Sequence, residues 1–219
     1  MHNNLRRFVT TALLVAVTLL LGLTPIGFIP NPILPVLSLT LMCLPVIIGT
    51  IAEGLKTGLV LGFVFGLASL LKAFGVTLAP DALATLILNI SVIKTILVIF
   101  IPRLLIPIVT WLVYKAITGK DGKRQKTAAG FAAFAGSLTN TILFLGMLYL
   151  LFLSNVTEIS GFLSGMSSIV GFNITSDTLL GLYAFLGGVN GVPEAVVAVI
   201  LCIPIVMALN KFNKSKLEN

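Results

Sequence analysis

The chain is 219 residues long, 58% hydrophobic and only 10% charged, with a mean hydropathy of +1.13. A soluble domain carries about 25% charged residues, so this composition excludes a water-covered globular surface and points to lipid as the solvent. The net charge of +7 falls between and beyond the apolar runs rather than along one face, which excludes a nucleic-acid-binding stripe and makes the charges topology signals.

Taken in chain order, the apolar periodicity predicts helix 1 over about 8–23. Residues 5–23 resemble a secretory signal, but no small-x-small cleavage site follows, so a retained helix is expected. Residues 24–35, TPIGFIPNPILP, hold four prolines and a glycine, which predicts an extended loop. Helix 2 follows over about 36–52, a polar turn over 53–58, and helix 3 over about 57–73. Residues 74–90 are apolar but broken by Gly75 and Pro80, with Asp81 as a cap for a short helix.

Helix 4 is predicted over about 92–117, kinked at Pro102 and Pro107. The hydrophilic stretch 118–127 separates it from helix 5, about 128–153. From Thr178 to Lys211 the chain is apolar for a length that, as one helix, spans about 50 Å against a bilayer core of about 30 Å. It must break, and Gly187-Gly188-Val189-Asn190-Gly191-Val192-Pro193 is the break. Asn190 suits a cap, and Pro193 and Glu194 suit a first turn. Helix 6 is placed at about 191–211, after a short helix at 178–187.

The fold class expected is therefore an all-α integral membrane protein, one domain over residues 1–219, with six transmembrane helices. With the N-terminus in the cytoplasm, Arg6, Arg7, Lys56, Lys115, the 118–127 cluster and the C-terminal lysines all lie inside, and the outer loops hold no lysine or arginine, so both termini are cytoplasmic. Lys72 and Lys94 lie near outer helix ends, where they snorkel. Glu53 is expected to pair with Lys56.

Enzyme chemistry finds no support. There is no phosphate loop, no G-x-S-x-G elbow and no intramembrane histidine. Cys43 and Cys202 have no Cys or His neighbour at metal spacing, and the one histidine is His2, so no metal site is expected. The residues that stand out are polar groups in lipid, which are costly and functional by default. Arg103 lies about 15 Å into helix 4. It either bonds carbonyls freed by the prolines or pairs internally, or it faces a ligand, where its planar fork suits a carboxylate or phosphate. Asn140, within Ser137-Leu138-Thr139-Asn140-Thr141, sits at mid-depth of helix 5. It faces a ligand or bonds a neighbouring helix, and Thr139 faces a ligand or bonds its own helix. Glu194 is either a first-turn carboxylate that favours the helix 6 dipole, or an acceptor for substrate hydroxyls or a partner for Arg103, and Asn190 is either a cap or a ligand contact. Ala12 and Ala16 lie four apart on helix 1, a spacing that lets another helix approach closely.

Together these features resemble the S components, or substrate-binding subunits, of energy-coupling factor (ECF) vitamin transporters. Ala12-x-x-x-Ala16 is similar to the helix 1 motif that docks their transmembrane partner, and 24–35 to the loop that closes over substrate. Pro102-Arg103-Leu104-Leu105-Ile106, Ser137-Leu138-Thr139-Asn140-Thr141 and Asn190-Gly191-Val192-Pro193-Glu194-Ala195 are similar to the sub-group that includes the pantothenate component. The resemblance implies a non-enzymatic, multi-pass subunit in the plasma membrane of a bacterium. It captures a small water-soluble vitamin from outside and topples to release it inside. Its partners are a transmembrane coupling (T) component and two ATPase subunits, which hydrolyse the ATP; the chain itself binds no cofactor. The site residues implied are Arg103, Asn140, Asn190, Glu194, Thr139 and, in the loop, Phe28 and Asn31, with Ala12 and Ala16 on the docking surface. Pantothenate, with its carboxylate, is the first substrate. Met42-Cys43-Leu44-Pro45 departs from the polar residue expected before that proline, so pyridoxine-type or hydroxymethylpyrimidine substrates stay open, as does a self-sufficient secondary transporter.

Overall fold

The computed structural model describes residues 2–30, 38–78, 82–119, 124–152, 181 and 187–215. Helix α1 (His2–Leu23) ends where Thr24 turns its amide and hydroxyl onto the Leu20 carbonyl, at 3.2 and 2.6 Å, and Pro25 opens a short 3-10 turn. The predicted extended loop is more ordered than expected. Strand β1 (Phe28–Pro30) pairs antiparallel with β2 (Ser38–Thr40), Phe28 opposite Thr40 and Pro30 opposite Ser38. Leu41 N–H donates to Gly27 O at 2.9 Å and ties the base of this hairpin.

Helix α2 (Cys43–Glu53) therefore starts about seven residues later than predicted. Ser38-Leu39-Thr40-Leu41 alternates polar and apolar residues, the period of a strand, within a stretch long enough to read as the start of a helix. Pro45 falls in the first turn of α2, where its missing N–H has no intrahelical acceptor in any case. Only Gly54, at φ +98°, separates α2 from α3 (Leu55–Ala73), a conformation that a side chain would strain.

This one-residue joint overturns the expected Glu53–Lys56 pair. The two residues do not share a continuous helix, so the i,i+3 geometry is lost. Arg7 takes Glu53 instead: Nε lies 3.3 Å from Oε2, and Nη2 donates to the Glu53 carbonyl at 2.6 Å. The Lys72 expectation also fails. Its residue is 7% exposed, in the last turn of α3, because α4 (Ala82–Ile90) packs back over that end. Asp81 lies outside the described residues.

Helix α5 (Val92–Thr118) starts on Ser91, whose side chain accepts from Lys94 N–H at 3.5 Å, and runs through both Pro102 and Pro107. Each proline deprives the carbonyl four residues back of its donor. Pro107 deprives Arg103, and that carbonyl turns toward α3, where Gly58, Gly62 and Gly66 form a stripe. A Cβ on Gly62 would stand 2.5 Å from Arg103 O; one on Gly66 would stand 2.8 Å from the Phe100 ring, and one on Gly58 2.7 Å from Pro107 Cβ. Glycines at this spacing allow two backbones to touch. Gly62→Val should therefore lower stability by about 1–3 kcal/mol, read as a lower Tm in detergent. Gly146→Ala, where nothing lies within 4 Å of the added carbon, should leave Tm unchanged or raise it.

Helix α6 (Gln125–Phe152) lies along α5 and is followed by α7 (Val192–Ser215). A π-turn over Gly187–Gly191 leads into α7, at the break expected from length. The predicted short helix at 178–187 lies almost wholly outside the described residues. The core gathers Met42, Val46, Ile47, Leu61, Phe65 and Ile106 against an alanine face of α6 (Ala129, Ala132, Ala133) and Ala198, Cys202 and Val206 of α7.

Five of these helices are long and apolar enough to cross a membrane, and α2 is a shorter apolar helix. Helix α1 is the least covered of the five, with Leu5 62%, Phe8 71% and Leu13 64% exposed. Ala12 and Ala16 lie on this outward face.

Candidate functional site

Two proline carbonyl gaps lie one turn apart on α5, and Arg103 is built into both. Its own carbonyl meets Gly62, as above. Its side chain fills the other gap: Nη1 donates at 3.2 Å to the Val98 carbonyl, the acceptor that Pro102 leaves without a backbone donor. The expected bond to a proline-freed carbonyl is thus present. It uses one N–H of a group that has five.

The guanidinium carbon lies 5.2 Å from the centroid of Phe65 on α3 and 4.8 Å from that of Phe144 on α6. A cation between two π faces is held electrostatically where water is scarce, and Arg103 is 8% exposed. Phe65 and Phe144 were not anticipated from sequence. Phe144 stands one helical turn beyond Asn140, a signal the spacing carried; Phe65 comes from another helix and carried none.

The α6 face that holds Phe144 also presents Ser137, Asn140 and Thr141, at i, i+3, i+4 and i+7. All three polar residues are buried. Ser137 Oγ and Asn140 Oδ1 have no hydrogen-bond partner among the described residues, and neither does Thr110 Oγ1 across from Gly136. Buried polar atoms are nearly always bonded, so these oxygens are unmet hydrogen-bonding groups among the described residues. Thr139 is not on this face. It is half-buried, and its hydroxyl bonds back to Ala135 O at 2.7 Å.

Glu194 reaches the same region from the first turn of α7, at 4% exposure. It lines a narrow cleft with Thr40, Leu41, Cys43, Leu44, Ser137, Val197 and Ala198. The cleft has room for about one water, so a larger guest must part α2 from α7. Cys43 donates its thiol to Glu194 Oε1 at 3.6 Å, a contact not anticipated from sequence. Ser137 lines the cleft beside Glu194 and stands on the same α6 face as Phe144, so one helix face joins the aromatic sandwich to the cleft. Asn190 lies half-buried in the π-turn, whose Gly191 packs so tightly that a Cβ there would stand 2.8 Å from Thr141 Cγ2.

The structure thus brings Arg103, Asn140 and Glu194 into one mid-bundle cluster, with Asn190 on the turn beside it. Phe28 lies in strand β1, and Asn31 lies outside the described residues. The arrangement offers a cation at one side, a carboxylate at the other, and under-bonded oxygens between. It suits holding a small polar molecule.

The family described as "ECF transporter, substrate-specific component" matches residues 6–206 of the chain. The pantothenic acid transporter PanT of Lactococcus lactis subsp. cremoris (strain MG1363) is 35% identical over 189 residues, which cover 83% of this chain and 81% of that protein.

Proposed function

From a chain that belongs to the substrate-specific components of ECF transporters, we propose a pantothenate-binding subunit with its site at the Arg103 cluster. The protein is a multi-pass subunit of the bacterial plasma membrane that captures a vitamin for import, and not an enzyme. The observation that carries the substrate is the Arg103 guanidinium, buried between two phenyl rings in the middle of the bundle. The planar fork of a guanidinium matches a carboxylate at two points. Pantothenate brings one carboxylate for Arg103, and hydroxyls and an amide for Glu194, Asn140 and Asn190. The relative named for pantothenic acid points the same way.

Six spans and two cytoplasmic termini fit the same reading. The five long apolar helices and α2, extended by the hairpin before it, make an even number of crossings. Basic anchors gather at one end: Arg7 on Glu53, and Lys115 over the Trp111 ring at 4.5 Å, an aromatic–cationic pair typical of a membrane interface. The outward face of α1, with Ala12 and Ala16, is then the surface for a transmembrane coupling component. Two ATPase subunits beyond it supply the energy, with no cofactor on this chain.

Thermal melting of the purified protein against pantothenate, pyridoxine and hydroxymethylpyrimidine tests the substrate. Pantothenate at a hundredfold excess over Kd should stabilise by about 2.7 kcal/mol, and the other two should leave Tm unchanged. Stabilisation by either of the others without pantothenate would replace the substrate while keeping the family.

A further inference from the structure

Cys43 has no part in the reading above, yet it stands in the cleft at 1% exposure, donating to Glu194. A buried carboxylate offers about four acceptor sites, and leaving them short of donors is costly. The donor it has among the described residues is a thiol at 3.6 Å, and S–H is a weak donor. In the same cleft the Ser137 hydroxyl, at 0% exposure, makes no hydrogen bond among the described residues. A strong acceptor held by a weak donor, beside an unused hydroxyl, is a surface prepared for a guest with O–H or N–H groups of its own.

We propose that Cys43 is a contact residue for the donor-bearing end of the substrate: hydroxyl or amide donors of the guest displace its thiol from Glu194, and its sulfur then walls that end. The inference rests on the substrate reading above and extends it, because it divides the guest into an anionic end at Arg103 and a donor end at Cys43, Ser137 and Glu194. A weak S–H bond is easily displaced. A hydroxyl at position 43 is a stronger donor to the carboxylate than a thiol and would compete with the guest.

The chain has two cysteines, so in a Cys202→Ala background Cys43 is the single thiol. Reaction with methyl methanethiosulfonate, followed by intact mass, then reports on Cys43 alone. Saturating pantothenate is expected to slow that reaction at least tenfold. In parallel, calorimetry should show Cys43→Ser binding pantothenate about tenfold more weakly than wild type, and Cys43→Ala within about threefold of it. The proposal is overturned by pantothenate that binds without protecting the thiol, by a thiol that takes no reagent in either condition, or by a serine variant that binds as well as wild type. An alanine variant weaker than the serine variant also overturns it, as that is the signature of packing alone. All four results leave the substrate assignment standing. A wild-type protein that binds no pantothenate removes that assignment, and this inference with it.

Discussion

Arg103→Ala protein is expected to bind pantothenate more weakly by about 2–5 kcal/mol, the usual consequence of removing one partner of a buried charged contact. At 1.4 kcal/mol per decade that is a loss of about thirty- to several-thousand-fold, measured by calorimetry. The side chain also satisfies the Val98 carbonyl at 3.2 Å, so the variant should melt lower even without ligand, by about 1–3 kcal/mol for an acceptor left unbonded in the interior. The two effects separate because Kd is read on protein that remains folded and monodisperse. Arg103→Lys provides the second arm. Its ammonium keeps the charge but lacks the planar fork that grips a carboxylate at two points, so it should recover only a small part of the affinity. Wild-type affinity in the alanine variant would take Arg103 out of the site and leave it as a proline patch on α5.

The second large effect is on transport rather than binding. Phenylalanines at positions 12 and 16 together should leave pantothenate affinity unchanged and reduce uptake by the assembled transporter at least tenfold. The separation follows from where these alanines sit. Both lie on the outward face of α1, away from the Thr18 face that bonds Leu14 O at 2.7 Å and packs inward. Added bulk therefore points away from the packed helices among the described residues, and the cleft is untouched. It does meet any partner helix that depends on close backbone approach. Reconstitution with the coupling module and its ATPases, followed by vitamin uptake, is the measurement; undiminished uptake would move the docking surface elsewhere.

The sequence announced the membrane, the long spans and Arg103, because each is a matter of solvent. An apolar run of sufficient length has few other places to be, and a cation in that run is too costly to be accidental. What stayed hidden depended on which segments meet. The alternation over Ser38–Thr40 is too short to end a helix by itself, and its pairing with Phe28–Pro30 makes it a strand. The lysine nearest Glu53 in sequence is Lys56, whereas a residue 46 positions away holds it. The Gly58–Gly62–Gly66 spacing was legible and stronger than Ala12–Ala16, yet its meaning appears only when the proline-freed carbonyl of Arg103 is set against it. Within the site, Arg103, Asn140 and Glu194 could be found by asking which polar groups lipid would reject. Phe144 could be found only by its spacing from Asn140, and Phe65 and Cys43 not at all, since each is ordinary in an apolar chain until its neighbour is known.

The hairpin over residues 28–30 and 38–40 has an energetic implication. In an apolar surrounding, peptide groups have no water to bond; here the two legs bond each other, and Leu41 N–H holds Gly27 O at the base. Drawing the two legs apart would leave those groups unbonded, so moving them together costs less than separating them.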